Sequence, residues 1–196
     1  MASPGMTAAR RLFVFSHPNH ELGMFGLLGR AQAHVLILSD GGGAERVRQS
    51  RRGLQRLGLE DRTTFLDVPE TAFYDALLRQ DRKLFDDYVG AVREAIERVD
   101  PEEVYCDAVE HYNPGHDMSL PIVWAALGSP GRSRVFEVPL IHERSDGDGY
   151  RVQQVAPSLI ERRHLVPLTP EETTRKTEAR DQVYTDLQAQ LGADVL

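Results

Sequence analysis

The stretch Leu12-Phe13-Val14-Phe15-Ser16-His17-Pro18-Asn19-His20-Glu21 decides how this chain reads. An apolar run ends, and two imidazoles and a carboxylate follow at once. Leu22, Phe25, Leu27 and Leu28 then carry helical apolar spacing. The unit predicts a buried strand at 11–16, a turn, and a helix at 20–30. Open α/β sheets bind their ligands beyond the carboxyl ends of strands, so the polar cluster stands where such a fold does chemistry. His17 and His20 are three residues apart. On a first helical turn they share a face and can share a metal ion. Simple turn punctuation, with His20 as a polar residue at a helix start, is the competing reading.

Working outward, buried strands are predicted at 33–38, 63–68, 104–109 and 135–140. Helices are predicted at 44–57, through a long region at 69–99, and around Ile122, Val123, Trp124 and Leu127. A terminal helix is predicted at 170–191. Thr169 is its N-cap, with Glu172 three residues on. Residues 144–150 read as a hairpin turn, with 150–155 returning antiparallel. Alternating strands and helices predict an α/β, Rossmann-like three-layer fold. Its sheet is mostly parallel and is flanked by helices on both faces. No interior linker or repeat interrupts it, so 1–196 reads as one domain.

Ser39-Asp40-Gly41-Gly42-Gly43 closes the second strand. It lacks G-x-G-x-x-G and a P-loop lysine, so it reads as turn chemistry more than as a phosphate cradle. The arginines at 46, 48, 51, 52 and 56 suit an anion site or, more commonly, a solvated helix face. After the fourth strand comes Glu110-His111-Tyr112-Asn113-Pro114-Gly115-His116-Asp117, a counterpart of the first cluster. Again a strand, a polar cluster with histidine and a helix follow one another.

The chain has 196 residues, 41% hydrophobic and 27% charged, which is the composition of a globular protein. Its net charge of −7 argues against nucleic acid or an anionic membrane as partner. Cys106 is the single cysteine, which excludes an intrachain disulfide and a Cys-rich zinc site. With no apolar leader at 1–10 and no run of transmembrane length, the expectation is a cytoplasmic protein. Oligomeric state is not legible.

The order of these pieces resembles the PIG-L/LmbE-like family of metal-dependent de-N-acetylases. The family's His-Pro-Asp-Asp-Glu falls on His17, Pro18, Asn19, His20 and Glu21. Its Asp-Gly strand end falls on Asp40-Gly41, and its Arg-x-x-Glu on Arg46 and Gln49. Its second metal motif, His-Pro-Asp-His, falls on Asn113-Pro114-Gly115-His116. The resemblance implies a metal centre of His17, His20 and His116, with zinc as the expected ion and Fe2+ as another that imidazole accepts. It also exposes departures. Asn19 replaces the family's base, His20 a ligating aspartate, Asn113 a histidine that supports the tetrahedral intermediate, and Gln49 an acid.

Glu21 and Asp117, each adjacent to a ligand, are the candidate replacement bases. Glu21 equally suits orienting an imidazole, and Asp117 capping a helix. Asp40, Arg46, Glu110, His111 and His142 are further candidates for supporting the ligands or meeting substrate. The expected function is zinc-dependent hydrolysis of a C–N amide bond in a small, amino-sugar-like or biosynthetic N-acyl substrate. Two alternatives remain. One is a three-histidine metalloenzyme of small-molecule biosynthesis with non-hydrolytic chemistry, and the other a catalytically silent binding protein on the same fold.

Overall fold

The computed structural model describes residues 9–30, 33–128, 133–143, 150–152, 155 and 157–187. Five strands form one parallel sheet: β1 (Arg11–Phe15), β2 (Ala33–Ser39), β3 (Thr63–Val68), β4 (Glu103–Asp107) and β5 (Arg134–Val138). Their order is β3-β2-β1-β4-β5. The α/β three-layer architecture expected from the sequence is the one observed.

The side chains of β1 alternate between two cores, as a pleated strand requires. Phe13 and Phe15 pack with Leu27, Leu28, Val35, Ile37 and Leu54 on one face. Leu12 and Val14 pack with Leu36, Tyr88, Val92, Val104 and Ile122 on the other. Both faces are covered, so the strand is a continuous apolar run. The first face carries α1 (Phe25–Arg30) and α2 (Ala44–Arg56). The second carries α3 (Glu70–Arg79), α4 (Arg82–Val99) and α5 (Pro114–Leu127).

Several boundaries differ from the sequence reading. The helical region at 69–99 is two helices. Gln80 takes a left-handed conformation at φ 57°, and Asp81 restarts the chain as an N-cap by accepting from Lys83 N. An aspartate in that position offers the backbone a better partner than a continued helix does. The segment after β1 is a 3-10 turn at His20–Met24 before α1 begins.

The terminal helix, α6 (Pro170–Gln182), has the capping box of Thr169 and Glu172. It ends at Gln182, and Tyr184 turns inward to pack edge-on against Phe25. β6 (Ile141–Glu143) and β7 (Tyr150–Val152) pair antiparallel, while the turn read at 144–149 lies outside the described residues. Among the described residues, no helix is long and apolar enough to cross a membrane.

Candidate metal centre

From β1 the chain winds outward through β2 to β3, and on the other side from β4 to β5. The sheet's switch point therefore lies between the carboxyl ends of β1 and β4, where such folds leave a crevice. His17 and His20 follow β1, and His116 lies on the first turn of α5, which follows β4. All three are buried.

His17 and His20 do not share a helical turn as the sequence spacing suggested. Asn19 sits between them at φ 81°, a left-handed conformation that asparagine tolerates. That reversal folds His20 back onto His17, with ring centroids 3.8 Å apart. Gly41, at φ 63°, closes the loop beneath. A β-carbon there would stand 3.1 Å from the His17 β-carbon, so the backbone approach requires glycine.

One nitrogen from each imidazole falls within 4.8 Å of the others. His17 Nδ1 is 2.9 Å from the Pro18 carbonyl, which only accepts, so Nδ1 carries the proton and Nε2 the lone pair. His20 Nδ1 likewise donates to Asp107 Oδ2 at 3.0 Å. His17 Nε2 and His116 Nε2 are 3.1 Å apart. Two ligands at ~2.0–2.1 Å from a tetrahedral ion stand about 3.3 Å apart, so this spacing fits a shared cation. Burial, then the neighbouring His20 and His116, hold the His17 imidazole well below its ordinary range. Burial also lowers His20, against the pull of Asp107. Neutral imidazoles are the ligand form, so the donor set fits a divalent metal.

Asp107 was not singled out in the sequence. It closes β4, is fully buried, and accepts from Ser16 N at 2.7 Å, His20 Nδ1 and Ser119 Oγ at 3.2 Å. Burial alone would raise its carboxyl, but His20, His116 and the Ser16 N–H outweigh that and hold it below the ordinary range. The available signal was a carboxylate closing an apolar strand in a fold that binds ligands at strand ends. Ser50 was also missed. It accepts from Asn19 N at 2.9 Å and donates to Asn19 Oδ1 at 3.3 Å.

Asn19 Nδ2 donates to Gln49 Oε1 at 3.4 Å, so two family-position departures face each other. Glu21 is buried on the α6 side, where its Oε1 accepts from Tyr184 Oη at 2.9 Å, and burial raises its carboxyl. Asp117 Oδ1 accepts from Glu110 N at 2.7 Å and His111 N at 3.1 Å, tying the loop before α5. Glu110 accepts from Leu140 N at 2.6 Å, and its Oε2 stands 3.7 Å from His116 Nδ1.

Asn113 is the N-cap of α5. Its oxygen accepts from Gly115 N at 2.7 Å and Tyr74 Oη at 3.3 Å. Asp40 accepts from Gly42 N and Glu70 N and so ties two loops together. Arg46 donates to the Gly41 carbonyl, and its charge contributes to lowering both His17 and His20. His111 is exposed at φ 57°. His142 lies in β6 opposite Arg151, and its side chain is outside the described residues.

No protein-family model and no curated protein matches the sequence. Solved structures do. A deacetylase of the teicoplanin biosynthesis pathway aligns at TM-score 0.63 and 14% identity, over 95% of this chain and 88% of that one. The N,N'-diacetylchitobiose deacetylase from Pyrococcus horikoshii aligns at TM-score 0.56 and 14% identity, over 93% and 76%. The 4-carboxy-2-hydroxymuconate hydratase from Pseudomonas putida KT2440 aligns at TM-score 0.51 and 18% identity, over 94% and 80%. At these identities the likeness is one of architecture: the chain has the fold of the LmbE/PIG-L-type deacetylases.

Proposed function

We propose that this protein is a metal-dependent amide hydrolase that removes the acyl group from a small N-acyl substrate in cytoplasmic biosynthesis. The observation that carries the reading is the buried cluster of His17, His20 and His116 at the sheet's switch point, within 4.8 Å of one another. These three residues would hold the ion, with zinc as the proposed metal. Bound there, zinc would polarise the acyl carbonyl and lower the pKa of water. Three neutral ligands leave that charge uncompensated, which favours the acidification.

The chain's own groups supply the rest. The Pro18 carbonyl and Asp107 fix the His17 and His20 rings through their Nδ1 protons. Partners of that kind orient ligands and raise their basicity. Glu110 Oε2 stands 3.7 Å from His116 Nδ1, beyond hydrogen-bond distance, so it acts on that ring by charge alone. Asn19 and Asn113 carry amides and take no proton, so their proposed work is to position the substrate. Of the two proposed bases, Glu21 faces Tyr184 and Asp117 ties residues 110 and 111. Glu21 is fully buried, whereas Asp117 is only half-buried and can meet substrate, so Asp117 is our choice.

The test is zinc loading followed by a screen of N-acetylated amines and amino sugars. Acetate release that requires zinc and disappears in Asp117→Asn supports the reading. A second reading is favoured by Asn19 facing Gln49, an all-amide pair where the family carries acids. It keeps the ion and the fold but performs a non-hydrolytic reaction, as the hydratase of similar architecture does. Full metal loading without amide hydrolysis, in wild type and Asn19→Asp alike, would select that reading.

A further inference from the structure

Beside the imidazoles, on the sheet face that carries α3, α4 and α5, lies a small cavity. Phe73, Met118 and Ile122 wall it, and Ser16, His17 and Tyr88 add polar lining. His17 belongs to both the cavity and the metal centre, so the two adjoin. The cavity volume is ≈ 20 Å³, against the ~10–15 Å³ that a water-sized group needs. It has room for a short substituent.

Two of the lining residues carry buried hydroxyls, Ser16 Oγ and Tyr88 Oη, that have no hydrogen-bond partner among the described residues. Buried polar atoms are almost always paired. Two orphans on residues that line one small cavity mark a place where a ligand could complete the bonding. Burial, with the charge of Asp40, pushes the Tyr88 hydroxyl up to about 12, so it stays neutral and can donate. Glu70 also lines the cavity, which disfavours a ligand carrying a second carboxylate there.

We propose that this cavity receives the α-substituent of the acyl group, and that it selects a short hydroxylated acyl group of the glycolyl class over an all-carbon one. The proposal rests on the amide-hydrolase reading. With the acyl carbonyl at the imidazoles, a hydroxymethyl group passes His17 and offers one hydroxyl to Ser16 and Tyr88. An ethyl group has the same shape but leaves both orphans unpaired. Sites built to bond a hydroxyl reject the analogue that lacks it.

Acyl hydroxamates test this without turnover, because they bind a metal centre through the carbonyl while presenting the same substituent. Their Kd on the zinc-loaded full chain is measured by calorimetry. Glycolohydroxamate is expected to bind about ten-fold tighter than its isostere propionohydroxamate, the scale of a hydrogen bond to a neutral partner. Tyr88→Phe, which keeps the ring that packs the core, is expected to erase most of that preference, and Ser16→Ala to reduce it. Equal binding of the two hydroxamates, or a preference unchanged in Tyr88→Phe, overturns the pocket assignment and leaves the hydrolase reading standing. Failure of every hydroxamate to bind the zinc-loaded chain overturns both.

Discussion

Tyr184 donates its hydroxyl to Glu21 at 2.9 Å, joining residues 163 positions apart in the sequence. Glu21 follows His20, a proposed ligand, so the end of α6 is tied directly to the turn that shapes the candidate metal centre. Tyr184→Phe keeps the ring and removes the donor from a buried carboxyl. The expected loss is about 1–3 kcal/mol in denaturant unfolding. Gly53→Ala should cost at least as much, since its added carbon would lie 1.7 Å from the Tyr184 oxygen, where the tyrosine now sits. Unchanged stability in both variants would show that α6 only covers the site.

Asp107 holds His20 through Nδ1, and this fixes which nitrogen would face the proposed ion. Asp107→Asn keeps the size but weakens the acceptor. Zinc affinity should fall by roughly 10–100-fold, the usual effect of losing such a partner. Competition with a chromogenic chelator measures it. Wild-type affinity in the variant would reduce Asp107 to a packing residue.

Acid sensitivity has an identifiable contributor at the far end of β4. Burial alone would raise Glu103, but hydrogen bonds from Arg11 at 2.6 Å and Tyr105 at 3.0 Å, with the charges of Arg11 and Arg134, outweigh it and lower the carboxyl. A depressed carboxylate stabilises the fold above its unfolded pKa, and that contribution is lost as pH falls through the folded one. The stability gap between wild type and Glu103→Gln should therefore be full near neutrality. It should shrink as pH drops from the ordinary glutamate range downward. Tm measured across that window checks this, and a pH-independent gap would contradict it.

The proposed ligands come from the turn after β1 and the first turn of α5, and an ion that binds only the native state stabilises it by mass action. Chelation should lower Tm, by an amount that corresponds to about 2.7 kcal/mol when free zinc had stood at a hundred times Kd. The apo protein should stay folded, because the cores around β1 include none of the three histidines. An unchanged melt after verified metal removal would contradict the linkage.

Much of the fold was legible because β1 is so plainly a buried strand: apolar on both faces and followed at once by polar residues. The three histidines were legible because each cluster follows a strand, where ligands gather. Asp107 was not, since the sequence reading carried the strand on to Val109 and left this carboxylate inside it, whereas the strand ends at Asp107 and His20 and Ser119 fold onto it. The inward turn at Tyr184 was hidden, because helical spacing runs on past Gln182, where the helix ends and Tyr184 meets Phe25 and Glu21. The break at Gln80 was equally invisible, because the apolar spacing continues through it and only the Asp81 cap marks the restart. Asn19 was read from its lack of a titratable group, but its left-handed backbone, which sets the histidine geometry, carries no signature in the sequence.

The central claim is that His17, His20 and His116 hold one metal ion between them. Metal content of the purified chain, measured beside His116→Ala after equal exposure to zinc, tests it most directly. One ion per wild-type chain, with occupancy largely lost in the variant, is the predicted result. Equal occupancy in the two proteins, or none in wild type, would contradict the account.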